Sequence, residues 1–223
     1  MNSPTLNNPS DAGQRGTQGA NQGNPPARFP ARSGVLRPAL VLFAALTLVI
    51  GVLYPLASTG VAKLLFPAQA SGSLIERDGK LVGSTLIGQN FSSPQYFWGR
   101  PSATGPMPYN AVASGGSNLG PTNPALRDAV VARIDALRQA DPGNTAPIPV
   151  DLISASASGL DPHISPAAAT YQAARVARLR NLPVEQVQAL IQTHTERPLV
   201  GILGEPVVNV LTLNLALDDA KVK

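Results

Sequence analysis

Residues 38–62 read PALVLFAALTLVIGVLYPLASTGVA, and this stretch decides the architecture. It holds no Asp, Glu, Lys or Arg and is built mostly of Leu, Ala, Val, Ile and Phe. At a rise of 1.5 Å per residue, about 20 apolar residues cross a hydrocarbon core of roughly 30 Å. The run is long enough to span a bilayer with some tilt. Ala68-Gln69-Ala70 has the small-residue pattern of a signal cleavage site. A signal h-region, however, covers only about 7–15 residues and lies close to the N-terminus, whereas this run begins at residue 38. A core helix of a soluble domain rarely stays free of charge for so long. The stretch therefore predicts a retained membrane anchor over residues 35–63, with a head of residues 1–34 before it and one domain of residues 64–223 after it.

Charge sets the expected orientation. Arg15, Arg28, Arg32 and Arg37 precede the run against the single acid Asp11, so the first 37 residues carry 4 − 1 = +3. Lys63 is the one charge close behind it. Excess Arg before a span keeps that end in the cytoplasm, so the domain is expected on the other side of the membrane. The head is rich in Asn, Gly, Pro, Gln and Ser and poor in apolar residues, a composition that cannot offset its own ordering entropy. It reads as a disordered cytoplasmic tail.

The net charge of +4 and a pI near 9.8 suggest a nucleic-acid partner at first sight. The distribution excludes it. Removing Arg15, Arg28, Arg32, Arg37 and Lys63 from the 17 basic residues, and Asp11 from the 13 acidic ones, leaves 12 of each beyond the anchor. A phosphate-binding surface needs a clustered excess of base. The chain has no cysteine, which excludes a disulfide, a thiolate metal site and a Cys nucleophile, and it has only two histidines, His163 and His194.

Within the anchor, Gly51 follows Thr47 by four residues, a small-xxx-small spacing that lets a partner helix approach closely. Pro55 is placed to kink the helix or end its regular part. With no Asp, Glu, Lys, Arg or His in the span, the helix offers no carboxylate or histidine proton relay and no charged ion site, and one helix cannot enclose a pore.

The domain opens with a hairpin signal, Asp78-Gly79 between apolar-bearing runs, with the second strand expected to continue through Leu86-Ile87. Residues 91–122 are rich in Pro, Gly, Ser and Asn and carry Tyr96, Phe97, Trp98 and Tyr109. Aromatic rings in such a loop pin it to a core or form an interface, which makes Trp98 and Tyr109, with Thr47 and Gly51, the candidate partner contacts. Asn123 and Pro124 start a helix with Leu126, Val130, Ile134 and Leu137 on one face, ended by Asp141-Pro142-Gly143. Ser165 caps a second helix running through Arg180. A third begins near Pro183 with Val184, Val187, Leu190 and Ile191 on one side. Val207 to Leu217 reads as a buried strand. The expected fold class is α+β, with strands at both ends and about three helices between.

Several strings are too particular to be generic: GSTLIGQNF at 83–91, RPSA at 100–103, YN at 109–110, SGGSNLGPTNP at 114–124, SASASGLDPHISP at 154–166 and VVNVLTLNLALD at 207–218. With one N-terminal membrane helix, the chain resembles the KdpC family, the C subunit of Kdp-type potassium-transporting ATPases, over residues 36 to about 219. The tail before residue 35 departs from that family's usually short N-terminus. The resemblance implies a subunit of a high-affinity, ATP-driven potassium uptake complex in the bacterial inner membrane. Its partners would be a channel-like potassium-translocating subunit, a P-type ATPase subunit and a small single-helix subunit. The implied role is to assemble or stabilise the complex and to raise the ATPase subunit's affinity for nucleotide; ATP belongs to the complex, and no cofactor is assigned to this chain.

The residues agree that catalysis lies elsewhere. The chain has neither the Asp-Lys-Thr-Gly-Thr string of a phosphorylated pump nor a Gly-x-x-x-x-Gly-Lys-Ser/Thr phosphate loop. Ser114-Gly115-Gly116-Ser117-Asn118 lacks a neighbouring Lys and reads as a structured turn rather than an anion nest. Ser154, Ser156, Ser158, Asp161 and His163 are the one place where a hydrolase could hide, without the Gly-x-Ser-x-Gly elbow. The competing reading is thus a stand-alone anchored hydrolase or ligand-binding module.

Overall fold

The computed structural model describes residues 34–198, 201 and 204–220; the expected tail falls almost wholly outside them. The chain divides into two units, Met1–Pro55 and Leu56–Lys223. Helix α1, Leu36–Leu65, contains 30 residues, and none of its most apolar window is buried. It is therefore about 45 Å long, enough to cross a bilayer. Pro55 neither ends it nor stays without effect. Proline has no N–H to offer the carbonyl one turn back, and its ring crowds that carbonyl. The turn ahead of it, Val49–Leu53, widens to π-helix, with the Tyr54 N–H bonded to Val49 O. The helix then continues to Leu65.

After a single turn α2, Pro67–Ala70, strands β1 (Leu74–Arg77) and β2 (Lys80–Ser84) form the expected hairpin. Asp78 and Gly79 both take positive φ, 52° and 71°, the backbone that a tight two-residue hairpin turn requires. The second strand is shorter than expected. It ends at Ser84, Thr85-Leu86 turn, and Ile87 returns only one bridge to Ser84.

Helix α3, Pro124–Ala140, starts where Asn123 Oδ1 accepts from Ala125 N at 3.0 Å. Helix α4, Pro166–Arg180, is capped by Ser165 Oγ on Ala168 N at 3.0 Å and ends on Asn181 in the left-handed region. Between these helices, β3 covers His163–Ile164. Helix α5, Val184–Thr193, leads into β4, Thr195–Glu196.

The run 207–217 departs from the expected strand. Only Val207–Asn209 is extended (β5), pairing antiparallel with both β3 and β4 at the centre of a small sheet. From Val210 to Asp219 the chain is helix α6, with Asn209 Oδ1 accepting from Thr212 N at 3.2 Å as its N-cap. Its buried residues are Val210, Leu211, Leu213, Asn214 and Leu217, a helical spacing rather than an alternation. The core gathers Val208, Leu213 and Leu217 with Ile164, Val176, Val187, Leu137 and Phe97. The fold class is mixed helix and strand, with an apolar helix at the N-terminus followed by the domain.

Candidate functional site

Irregular stretches far apart in sequence meet in one hydrogen-bonded knot. Arg100 Nη1 lies 3.0 Å from Asp161 Oδ2, and Ser156 N donates to Pro101 O at 3.2 Å. Ser102 Oγ donates to Gly159 O at 2.7 Å and accepts from Tyr109 N at 2.9 Å. Tyr109 OH donates to Arg100 O at 2.6 Å. Ser114 Oγ and Gly115 N both donate to Ser158 O, at 3.0 and 2.8 Å. Gly159 has to be glycine here: its φ is +68°, and a methyl would sit 2.5 Å from Thr104 Cγ2 and 2.8 Å from Gly115 O.

Electrostatics follow this wiring. Burial would raise the Asp161 carboxyl, but hydrogen bonds from the His163 side chain and backbone and from Arg100 hold it below the usual carboxylate value. Burial, and then the nearby Asp161 charge, push the Tyr109 phenol up to about 12, with Arg100 opposing only in part. Tyr109 also takes φ +58°, a conformation that a bulky side chain adopts only when its surroundings enforce it. The three serines are used locally: Ser154 Oγ donates to Val150 O, Ser156 Oγ accepts from Gly159 N, and Ser158 Oγ accepts from Leu160 N. None of these bonds engages His163, so the string is a wired turn without an assembled nucleophile and base.

The aromatic loop is latched by buried side chains. Asn214 accepts from Phe97 N at 2.9 Å and donates to Phe97 O at 3.0 Å, while Gln172 does the same for Trp98 at 2.9 and 3.1 Å. Arg175 is 2% exposed and donates to Pro94 O, to Tyr96 O and to Gln172 Oε1. Its guanidinium lies 4.8 Å from the centre of the Trp98 ring. Burial lowers its pKa to about 10. Arg180 covers Tyr96 at 4.4 Å and pairs with Asp218 at 2.8 Å.

Trp98 and Tyr109 come together as walls of one cleft of about 270 Å³. Trp98 is half-buried and donates from Nε1 to Ser93 O at 3.0 Å. Thr47 and Gly51 lie one turn apart on α1, both exposed, and a methyl at Gly51 would meet nothing nearer than Thr47 Cγ2 at 3.9 Å. Gln172, Asn214 and Arg175 were not among the sequence candidates. The available signal was Asn209 ahead of apolar residues at helical spacing, which places Asn214 on the buried face of a capped helix.

The KdpC family, described as K+-transporting ATPase, c chain, matches residues 36–219. The chain belongs to this family. A potassium-transporting ATPase KdpC subunit of Polaromonas naphthalenivorans is 74% identical over 187 residues, covering 84% of this chain and 95% of the relative. The protein of that name from Ralstonia nicotianae is 68% identical over 195 residues, 87% of this chain and 96% of its own. One from Sorangium cellulosum is 63% identical over 186 residues, 83% and 98% respectively. The knot, the latched loop and α1 all lie inside the region that KdpC shares. The N-terminal 35 residues lie outside it.

Proposed function

We propose that this chain is a non-catalytic, membrane-anchored subunit of an ATP-driven potassium pump in the bacterial inner membrane, acting through contacts with its partner subunits. The observation that carries the reading is α1 itself: an apolar helix with its side chains exposed and no Asp, Glu, Lys, Arg or His between residues 38 and 62. Such a helix needs lipid or other helices around it, and alone it can carry neither potassium nor protons. The partners in this reading are a channel-like potassium-translocating subunit, a P-type ATPase subunit and a small single-helix subunit, and membership of a K+-transporting ATPase family supports a multisubunit pump.

Residues 1–34 form the cytoplasmic tail, residues 35–63 the span and residues 64–223 the extracytoplasmic domain in this reading. It rests on four arginines before the span and one lysine behind it. About 30 Å of hydrocarbon then separates the domain from the site where ATP is consumed. An effect on nucleotide affinity has to travel through the pump's conformational equilibrium, as a coupling between separate sites.

Detergent extraction through a C-terminal tag tests the role: stoichiometric recovery of multispanning partners supports it, and a monodisperse lone chain refutes it. Topology is read separately with Val112→Cys in the otherwise cysteine-free chain, since Val112 is 97% exposed. A membrane-impermeant maleimide labels it in intact spheroplasts if the domain is extracytoplasmic. Labelling only after lysis would place the domain in the cytoplasm and reopen direct contact with nucleotide.

A further inference from the structure

The cleft that Trp98 and Tyr109 share is lined by two guanidinium groups and no carboxylate. Arg100 is already neutralised by Asp161 at 3.0 Å. Arg133, projecting from α3, is not. It donates from Nη1 to Ile153 O at 2.8 Å, and the ion pairs among the described residues do not include it. The side chain is half-buried, and that burial disfavours its charged form. A guanidinium has five N–H donors in a planar fork, so the carbonyl bond leaves most of them free. An uncompensated, partly desolvated cation facing an acid-free cleft is matched by an anion entering that cleft.

The rest of the wall narrows the chemistry. Phe91, Trp98, Leu137 and Leu152 supply apolar surface, and Gln89 and Asn90 supply amides. With Arg100 spent on Asp161, the net charge available is a single positive one. A free phosphate dianion would be undercompensated and would waste the apolar wall. A monoanion with a short apolar body uses both.

We propose that this cleft is a carboxylate-binding site, in which the Arg133 fork holds the carboxylate and the aromatic wall covers a short apolar moiety. At about 270 Å³ it admits a small organic acid or one acidic side chain. Two sources can supply that chemistry: a free carboxylate, or an Asp or Glu of a partner subunit. The proposal does not depend on the pump reading.

The chain's one tryptophan lines the cleft and reports on it. The full-length chain in detergent micelles is titrated with sodium isobutyrate while Trp98 emission is followed, with isobutyramide as the neutral isostere and sodium chloride as the ionic control. A saturable change with isobutyrate and none with the amide is expected, at millimolar concentrations typical of so small a ligand. Arg133→Gln should weaken binding by roughly tenfold or more, the loss of a charge-assisted fork. Should that variant fail to fold, Arg133→Lys keeps the charge but not the fork, and should bind several-fold more weakly than the unmodified chain.

No saturable response to isobutyrate, an equal response to the amide, or unchanged binding by a folded Arg133 variant would overturn the proposal. The assembled complex separates the two sources. A response lost on assembly assigns the site to a partner's acidic side chain, and a response retained assigns it to a free carboxylate.

Discussion

Replacing Asn214 by alanine tests whether the aromatic loop is held by buried amides. Asn214 is 1% exposed and Phe97 is fully buried. The amide satisfies both backbone groups of Phe97, across 117 residues of sequence, at 2.9 and 3.0 Å. Alanine leaves one buried N–H and one buried C=O without partners. Each costs about 1–3 kcal/mol when nothing replaces the bond, so the expected loss is about 2–6 kcal/mol. A domain of ordinary stability has only about 5–15 kcal/mol in total. At about 2–4 °C per kcal/mol for a chain of this size, the midpoint should fall by roughly 4–24 °C. The assay is thermal unfolding of the full-length chain in detergent, followed by far-ultraviolet circular dichroism and by Trp98 emission together, because the loop should loosen with the domain.

Asn214→Asp makes the test sharper. The carboxylate still accepts from Phe97 N but faces Phe97 O with a negative charge, whereas its protonated form can donate to that carbonyl. Burial raises the folded-state pKa of the new group above its unfolded value of about 3.9. The sign follows from linkage: the variant is closest to the parent below pH 4 and loses stability as pH rises through the folded pKa. A loss under about 1 kcal/mol for Asn214→Ala, or an Asn214→Asp variant whose deficit does not grow with pH, would refute the latch.

Gly51→Leu should leave membrane insertion intact, since Leu is at least as apolar, and should reduce recovery of partner subunits if the Thr47–Gly51 face meets a partner helix; quantitative copurification measures this, and unchanged recovery would reduce α1 to a tether. Tyr109 titrates at about 12 rather than near 10, so the stability it contributes is complete below pH 10 and is lost as pH rises toward 12. Tyr109→Phe should remove that alkaline component and cost about 0.5–1.5 kcal/mol at neutral pH through the lost bond to Arg100 O, both read from unfolding curves taken across the range.

The parts of the fold that were legible carry their signals locally. Asn123-Pro124 and Ser165-Pro166 are caps whose partners lie two or three residues away, and Asp78-Gly79 is a turn complete in itself. The misread run shows where local signals compete. VVNVLTLNLALD is dense in Val and Leu, and apolar content alone does not separate a buried strand from a buried helix. Asn209 decides the matter in the structure by ending β5 and capping α6 with one side chain. Read as a cap, it would have placed Val210, Leu213, Asn214 and Leu217 on one helical face.

The candidate site was legible in its strings and illegible in its wiring, for a physical reason. Between Ile87 and Asn123 the described chain has no strand and only a single 3₁₀ turn, Ala111–Ala113, so its backbone groups cannot be satisfied by a ladder. At Pro94 and Tyr96–Trp98 they are met by Gln172, Arg175 and Asn214, polar side chains that helices α4 and α6 carry into the core, and farther along by the knot around Ser102, Tyr109 and Ser158. Such partners have no sequence period, because each is chosen by one distant carbonyl or amide. Burying an amide or a guanidinium without its partner would be strongly unfavourable. Helix and loop therefore fix one another: the loop alone would be an unstructured Pro/Gly segment, and α4 and α6 alone would expose unsatisfied polar groups on an otherwise apolar face. The latch holds Trp98 and the bonds to Ser102 and Arg100 hold Tyr109, so a ligand or partner residue entering the cleft that both line meets a surface already ordered before it arrives.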